Sequence, residues 1–233
     1  RQRLFVADGH HRYETALAYQ AEVRARPEHA AASPGELAAD WVAAVLINAE
    51  AEELQVLATH RLIRGVDEGA LRRLADEPGP LFEARAVPPA ELPDELAAHD
   101  DDSSAVFGLV LSGGEGYLLT GNAVAVGERM RDERSATAVR RLDLAVLQAA
   151  ILADRLGIDA EAIASGDRLD YTRDPAVALD AVVHGESQAA ILVRPTRLDQ
   201  LAAVATAGDV MPQKSTYFYP KLLTGMVFNP LED

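Results

Sequence analysis

The chain of 233 residues contains no cysteine. That excludes a disulfide framework, a zinc–thiolate cluster and a cysteine nucleophile, and it agrees with a cytoplasmic location. Long apolar runs are also missing. Residues 41–47 and 145–153 are the longest, too short to span a bilayer, so no membrane anchoring is expected. Positive charge is scarce: 22 Lys and Arg stand against 37 Asp and Glu, a formal net charge of -15. A duplex-DNA binder needs basic surface to neutralise phosphates, so nucleic acid is not an expected partner. One nucleotide held in a local basic pocket remains compatible with that balance. Aromatics are few, and the single tryptophan, Trp41, is expected to pack rather than bind. Residue 1 is Arg and no signal-peptide pattern follows it.

What is present is ample apolar content, 48% of residues, enough for a buried core. Residues 4–7 read as a short strand, broken by Asp8-Gly9. A helix follows from about residue 10 to 26, with Tyr13, Leu17 and Ala21 on one face. Ser33 can cap a short helix with Pro34 at its first position and Glu36 three residues on. The continuous apolar run 41–48 reads as a buried strand, and 54–58 as another. Residues 67–76 look helical with Leu71 and Leu74 inward, and 81–87 look extended. A weak helix over 88–102 ends in Asp100-Asp101-Asp102, read as a solvated loop rather than a metal site. Strands 105–112 and 117–120 flank Gly113-Gly114-Glu115-Gly116, a hairpin signal. Further on come an apolar helix over 143–156 stopped by Gly157, a strand over 169–172, and a helix from Pro175 capped by Asp174. A strand over 189–193 and a helix over 197–207 complete the pattern. Strands and helices alternate irregularly around one clear hairpin. The expected fold is therefore α/β or α+β, a mixed sheet with helices packed on it. A division into residues 1–66 and 67–233 is expected, although one domain also fits.

Three groups of residues carry chemistry. In the first, Asp8-Gly9-His10-His11-Arg12, a tight turn opens a helix whose first N–H groups lack intrahelical partners. With the helix dipole these groups suit an anion, and Arg12 adds a planar fork for phosphate oxygens. Asp8, His10 and His11 are the candidate catalytic residues, the histidines as donors or proton carriers. The plain alternative is that Asp8 caps the helix and the histidines are surface groups. A metal site is the weaker reading, because adjacent helical residues point about 100° apart. Asp8 with one His remains compatible with a phosphate-bridging Mg²⁺. The second group, Thr59-His60-Arg61, stands at an expected strand end, where such folds carry functional side chains. The third crowds Lys214, Ser215, Thr216, Tyr217, Tyr219 and Lys221 between and beside two prolines. Lys214 and Lys221 suit phosphate, Ser215 can donate, and Tyr217 can form a stacking wall. Equally, the aromatics pack on the core and the lysines stay solvated.

Taken together, "ADGHHRYETAL", "THRL", "YTRD" and "MPQKSTYFYPKLLTG" resemble the domain of unknown function 1015 family over nearly the whole chain. Members are longer at the N-terminus, so the chain is expected to be the C-terminal portion of such a protein. More distantly, Asp8 to Arg12 resembles the phosphate-binding signature of the ParB/sulfiredoxin superfamily, where a Gly-x-x-Arg turn binds nucleotide phosphates. Sulfiredoxin's catalytic Cys position is His10 here, which disfavours sulfinic-acid reduction. The free-serine kinases of that superfamily carry the same Asp-Gly-His-His-Arg run, with a catalytic acid upstream of it. The resemblance implies a nucleotide-dependent phosphotransferase using ATP, ADP or CTP, with Mg²⁺ as an option and an unidentified acceptor. Phosphate and nucleotide would be bound by Gly9, Arg12, Thr59, His60, Arg61, Lys214, Ser215, Tyr217 and Lys221. Two alternatives stand beside it: a non-catalytic nucleotide-binding regulatory module, and a Mg²⁺-dependent phosphate-ester hydrolase. The oligomeric state is open, a homodimer among the options.

Overall fold

Strands made almost wholly of apolar residues must be covered on both faces. The chain meets that requirement with one antiparallel sheet, as a computed structural model shows. The structure describes residues 4–48, 55–99, 102–212, 214–221, 225, 227–228 and 231. Two compact units are present: residues 1–55 with 218–233, and residues 56–217. One boundary between the units falls between Gln55 and Val56, and the tail from Phe218 belongs with the first unit.

In the first unit, helix α1 (His10–Arg24) buries Val23 against Leu37 and Ala39, with Tyr19 and Ala32 beside them. Asp40 ties the segment after the helix back onto it. Its carboxylate accepts from Arg24 Nε and Nη2 at 2.7 Å each, from Gln20 at 3.0 Å, and from the Gly35 and Leu37 amides. These bonds, led by the Arg24 guanidinium, hold its carboxyl far below the usual carboxylate range.

Several sequence expectations fail here for one reason. Residues 4–7 and 41–48 form no strand, and Leu4, Trp41, Val45 and Leu46 are exposed. Apolar content alone cannot make a strand; its N–H and C=O groups need a neighbouring ladder, and these residues join no sheet among the described residues. The face of α1 carrying Tyr13, Leu17 and Ala21 is exposed, while the stripe through Tyr19 and Val23 packs. Ser33 opens a turn rather than a helix. The Glu36 carboxylate still reaches back to the Ser33 amide at 2.6 Å, half of a capping box.

The second unit holds strands β2 (His60–Ile63), β3 (Phe82–Ala86), β4 (Val106–Leu111), β5 (Glu115–Gly121), β6 (Leu169–Thr172) and β7 (Ala189–Val193). Short strands β1 (Gln55–Leu57) and β8 (Tyr217–Tyr219) stand where the chain passes from one unit to the other. The sheet order is β3-β5-β4-β7-β2-β6, and each neighbouring pair is antiparallel. The class is therefore α+β, and the strand directions expected to be mixed are not. The hairpin β4–β5 and the extents of β6 and β7 fall where the sequence pattern puts them.

The period-2 alternation of β4 sends Phe107, Leu109 and Leu111 to one face and Val106 and Val110 to the other. On the first face lie α2 (Glu68–Asp76) through Leu71 and Leu74, and the helical run α6 (Asp143–Val146), a π-helical segment (Leu147–Ala153) and α7 (Asp154–Leu156). On the second lie α3 (Leu92–Ala98) and α9 (Pro175–Val183), through Leu92, Leu96, Ala178 and Val182. Gly108 lets α3 approach: a Cβ there would sit 3.2 Å from the Leu192 Cβ and 3.4 Å from the Leu92 Cβ. Helices α4 (Ala123–Arg129), α5 (Thr137–Arg140), α8 (Ala160–Ser165) and α10 (Leu198–Thr206) complete the unit. The α2 and α9 caps are Asp67 and Asp174, and Gly157 ends α7 at φ 64°.

At the end of β7, Arg194 forks onto Asp143 with bonds of 2.8 and 2.9 Å. It also donates to the Ser104 and His99 carbonyls. The expected acid loop keeps only Asp102 within the described residues, where it pairs with Arg197 at 2.6 Å.

The central position of β7 sets the first prediction. Ile191 is fully buried between its neighbours in β4 and β2. Ile191→Ala should lower the unfolding free energy by about 2–5 kcal/mol. Urea denaturation followed by circular dichroism checks it; a cost near zero would mean this strand is not the core.

Candidate functional site

The two units each present a distinct group of the residues singled out by sequence. In the first, Gly9 precedes α1 at φ 84°, the left-handed region open mainly to glycine. A Cβ there would stand 2.8 Å from Arg12 Nη2 and 3.0 Å from its Nε. The guanidinium therefore folds back over the turn, and a side chain at position 9 would displace it.

Asp8 does not cap the helix. Its Oδ1 accepts from the Gly9 amide at 2.8 Å, and Gly9, the N-cap residue, offers no side-chain cap. The first intrahelical bond runs from the Tyr13 amide to the Gly9 carbonyl at 3.0 Å. Among the described residues nothing accepts from the His10, His11 or Arg12 amides. These three donors and the positive end of a 15-residue helix are left facing outward.

Lys221, from the far end of the chain, donates to Asp8 Oδ2 at 2.7 Å. This bond is the main reason the Asp8 carboxyl titrates below its ordinary range. Asp8, Gly9, Arg12 and Lys221 thus meet in one place. The two histidines are less engaged: His11 is exposed, with Nδ1 3.2 Å from Glu14 Oε2, and His10 is half-buried. No group of three or more His, Asp or Glu able to hold a metal ion occurs among the described residues.

In the second unit, Thr59-His60-Arg61 opens β2 rather than ending a strand, and all three are buried. His60 Nδ1 accepts from the Val193 amide at 3.2 Å. Burial, and secondarily Arg61, push its imidazole down to about 4, so it stays neutral at physiological pH. Arg61 points to the opposite face. It donates to the Thr59 carbonyl and, at 3.4 Å, to the Lys214 carbonyl, and its guanidinium carbon lies 5.4 Å from the Tyr171 ring centre.

Lys214 sits at φ 56°, an uncommon conformation for a residue with a side chain. It turns its carbonyl to Arg61 and leaves its side chain exposed. Ser215 is buried: its hydroxyl donates to the Pro212 carbonyl at 2.6 Å, and its carbonyl accepts from Thr196 Oγ1 at 2.9 Å. Tyr217 carries the Arg173 guanidinium on its face at 3.9 Å. Of these residues Thr59, Arg61 and Lys214 meet one another, while His60 faces the other side of the sheet and Ser215 and Tyr217 are engaged with Thr196, Pro212 and Arg173. Gln148 and Tyr171, which sequence reasoning did not select, line a cavity with Arg61. The only sequence signal for them was the "YTRD" run; Gln148 lies inside an apolar helix pattern with nothing to mark it.

The geometry describes an α+β protein with a glycine–arginine helix start. The chain belongs to the family described as "Protein of unknown function (DUF1015)", which matches residues 1–145. No curated protein matches it. Among solved structures it is similar to a free serine kinase in complex with AMP and to the E30A mutant of a free serine kinase in complex with AMP. The identities are 14% and 16%, and the TM-score is 0.44 for each. Each similarity covers 75% of this chain and 57% of the other, so the chain spans just over half the length of those proteins. No helix among the described residues is long and apolar enough to cross a membrane.

Neutral, buried His60 makes stability depend on pH. Its folded pKa of about 4 lies below the unfolded value of 6.5. The unfolded chain therefore takes up the proton first as pH falls. The stabilisation is complete above pH 6.5 and is lost as pH drops through about 4. His60→Gln, whose amide oxygen can still accept from Val193, should remove that step, worth at most about 3 kcal/mol. Denaturation midpoints of both proteins at neutral and acidic pH check it: the two curves should converge towards acid, and parallel curves would refute it.

Proposed function

We propose that the chain carries the phosphate-binding turn of a nucleotide-dependent phosphotransferase, a small-molecule kinase. The observation that carries the reading is the start of α1. Three backbone donors there have no acceptor among the described residues, and Arg12 is folded against a glycine whose φ of 84° strains any other residue. Phosphate oxygens would complete those donors, Arg12 would offer a planar fork, and Lys221 a second positive charge. A metaphosphate-like transition state spreads negative charge over its oxygens, and fixed donors that meet it lower the barrier. The resemblance of the Asp-Gly-His-His-Arg run to the free-serine kinases supports the same role.

Asp8, His10 and His11 are proposed to act at the reacting phosphate. Asp8, held ionised by Lys221, would orient a histidine or take part in holding Mg²⁺. One carboxylate is a thin ligand set, so such an ion would be bound chiefly by the nucleotide's own phosphates. His11 is the more exposed of the two histidines, with Nδ1 beside Glu14. ATP, ADP and CTP are the candidate nucleotides. The reading makes no use of Thr59, His60, Ser215 or Tyr217, which are engaged within the second unit.

Titration calorimetry of the full-length protein with ATP, ADP and CTP, with and without Mg²⁺, tests the proposal. At least one should bind, and failure of all three refutes it. Arg12→Ala should weaken that binding about tenfold to a hundredfold while leaving the fold intact. Gly9→Ala should both strain the backbone and displace Arg12, costing about 1 kcal/mol of stability and most of the affinity. Phosphorus NMR of the bound nucleotide then separates the readings. Transfer to an acceptor marks a kinase, release of inorganic phosphate a hydrolase, and an unchanged nucleotide a regulatory module.

A further inference from the structure

Arg61 is unusual among the cations of the second unit. It is buried, yet no carboxylate pairs with it among the described residues. Elsewhere in the unit buried charge is matched, as in the fork of Arg194 on Asp143. Taking a guanidinium out of water costs several kcal/mol unless something compensates. Two carbonyls and the face of Tyr171 supply part of that. A guanidinium has five N–H donors, so donors remain over. Burial lowers its pKa only to about 10, and it stays cationic at neutral pH.

The side chain lines a cavity of about 110 Å³. Leu144, Leu147, Leu152, Ile163 and Leu169 give it apolar walls, while Gln148 and Tyr171 bring the other polar side chains. Neither the Gln148 amide nor the Tyr171 hydroxyl makes a hydrogen bond among the described residues. Burial raises the Tyr171 pKa, which keeps that hydroxyl a donor. The wall carrying Leu147, Gln148 and Leu152 is the π-helical segment. Such segments are rare and recur at functional sites, because the widened turn re-aims side chains.

We propose that this cavity is a binding site for a small aliphatic carboxylate. Arg61 would fork onto the carboxylate, Gln148 and Tyr171 would hydrogen-bond it, and the leucine and isoleucine walls would cover its hydrocarbon part. The single positive charge fits a monoanion; a phosphate dianion would bring a second charge with no cation to meet it and no apolar part for the walls. The size suits an acid of about four to six heavy atoms, since an engineered core cavity of about 150 Å³ holds benzene. A nucleotide is far too large. The assignment stands on the second unit alone and does not rest on the phosphate-binding turn.

Methyl NMR of Leu144, Leu147, Leu152, Ile163 and Leu169 provides the test, with butyrate, isobutyrate, butyramide and inorganic phosphate as probes. Butyrate or isobutyrate should shift these methyls saturably with a millimolar Kd. The neutral amide and phosphate should bind at least about tenfold more weakly. Gln148→Leu keeps the volume and removes the amide, and should weaken the acid about threefold to tenfold. Arg61→Met, if it folds, should abolish binding. No response to either acid, equal binding of butyramide, a preference for phosphate, or retained binding in folded Arg61→Met would each overturn the assignment. If Arg61→Met does not fold, the comparison of butyrate with butyramide decides it.

Discussion

Desolvation governs the second unit. Strands β4 and β7 are buried on both faces, so any polar group placed on the sheet must be matched by another. Most are. His60 accepts from a β7 amide and stays neutral, and Arg194 forks onto Asp143. Burial nevertheless raises the Asp143 carboxyl despite its partner, a sign of how dry that end of the sheet is. Arg61 is the exception, with carbonyls and a ring in place of an acid. The same strand that packs Ile63 into the core thus carries a cation into a cavity, and its alternation sends His60 and Arg61 to opposite sides.

The first unit answers to a different constraint. Its apolar cluster is small, and hydrogen bonds to Asp40 do much of the work of holding α1 to the segment that follows. A helix start held in this way can afford unsatisfied donors. Gly9 and Arg12 depend on one another: the backbone goes left-handed, the guanidinium folds over it, and the amides stay open. Lys221 enters through its bond to Asp8, so an ion pair links the two long sequence motifs at opposite ends of the chain.

Much of the second unit was legible as sequence, because its signals are local. The cap at Asp174 with Pro175, the stop at Gly157 and the β4–β5 hairpin each follow from a few adjacent residues. Expectations failed where they needed a partner. Residues 41–48 have the composition of a buried strand but join no sheet among the described residues, and α1 has two apolar stripes of which one packs. The site divides in the same way. Asp8, Gly9 and Arg12 are neighbours in sequence, and a turn with a helix behind it defines their geometry. Gln148 and Tyr171 join Arg61 only because β6 pairs with β2, setting Tyr171 opposite Arg61, and the π-helical segment lines the same cavity.

The sequence by itself determined that helices and strands mix in one fold, where several helices of the second unit begin and end, and that a glycine turn opens α1. These depend on side-chain period, capping residues and the freedom of one glycine. Only the tertiary structure decided which amides have no acceptor among the described residues, that Lys221 reaches Asp8, and that the Thr59–Arg61 run is buried at the start of a strand. It also decided that Arg61 meets no acid among the described residues. Burial and ion pairing are properties of what surrounds a residue, and what surrounds it comes from parts of the chain far away in sequence.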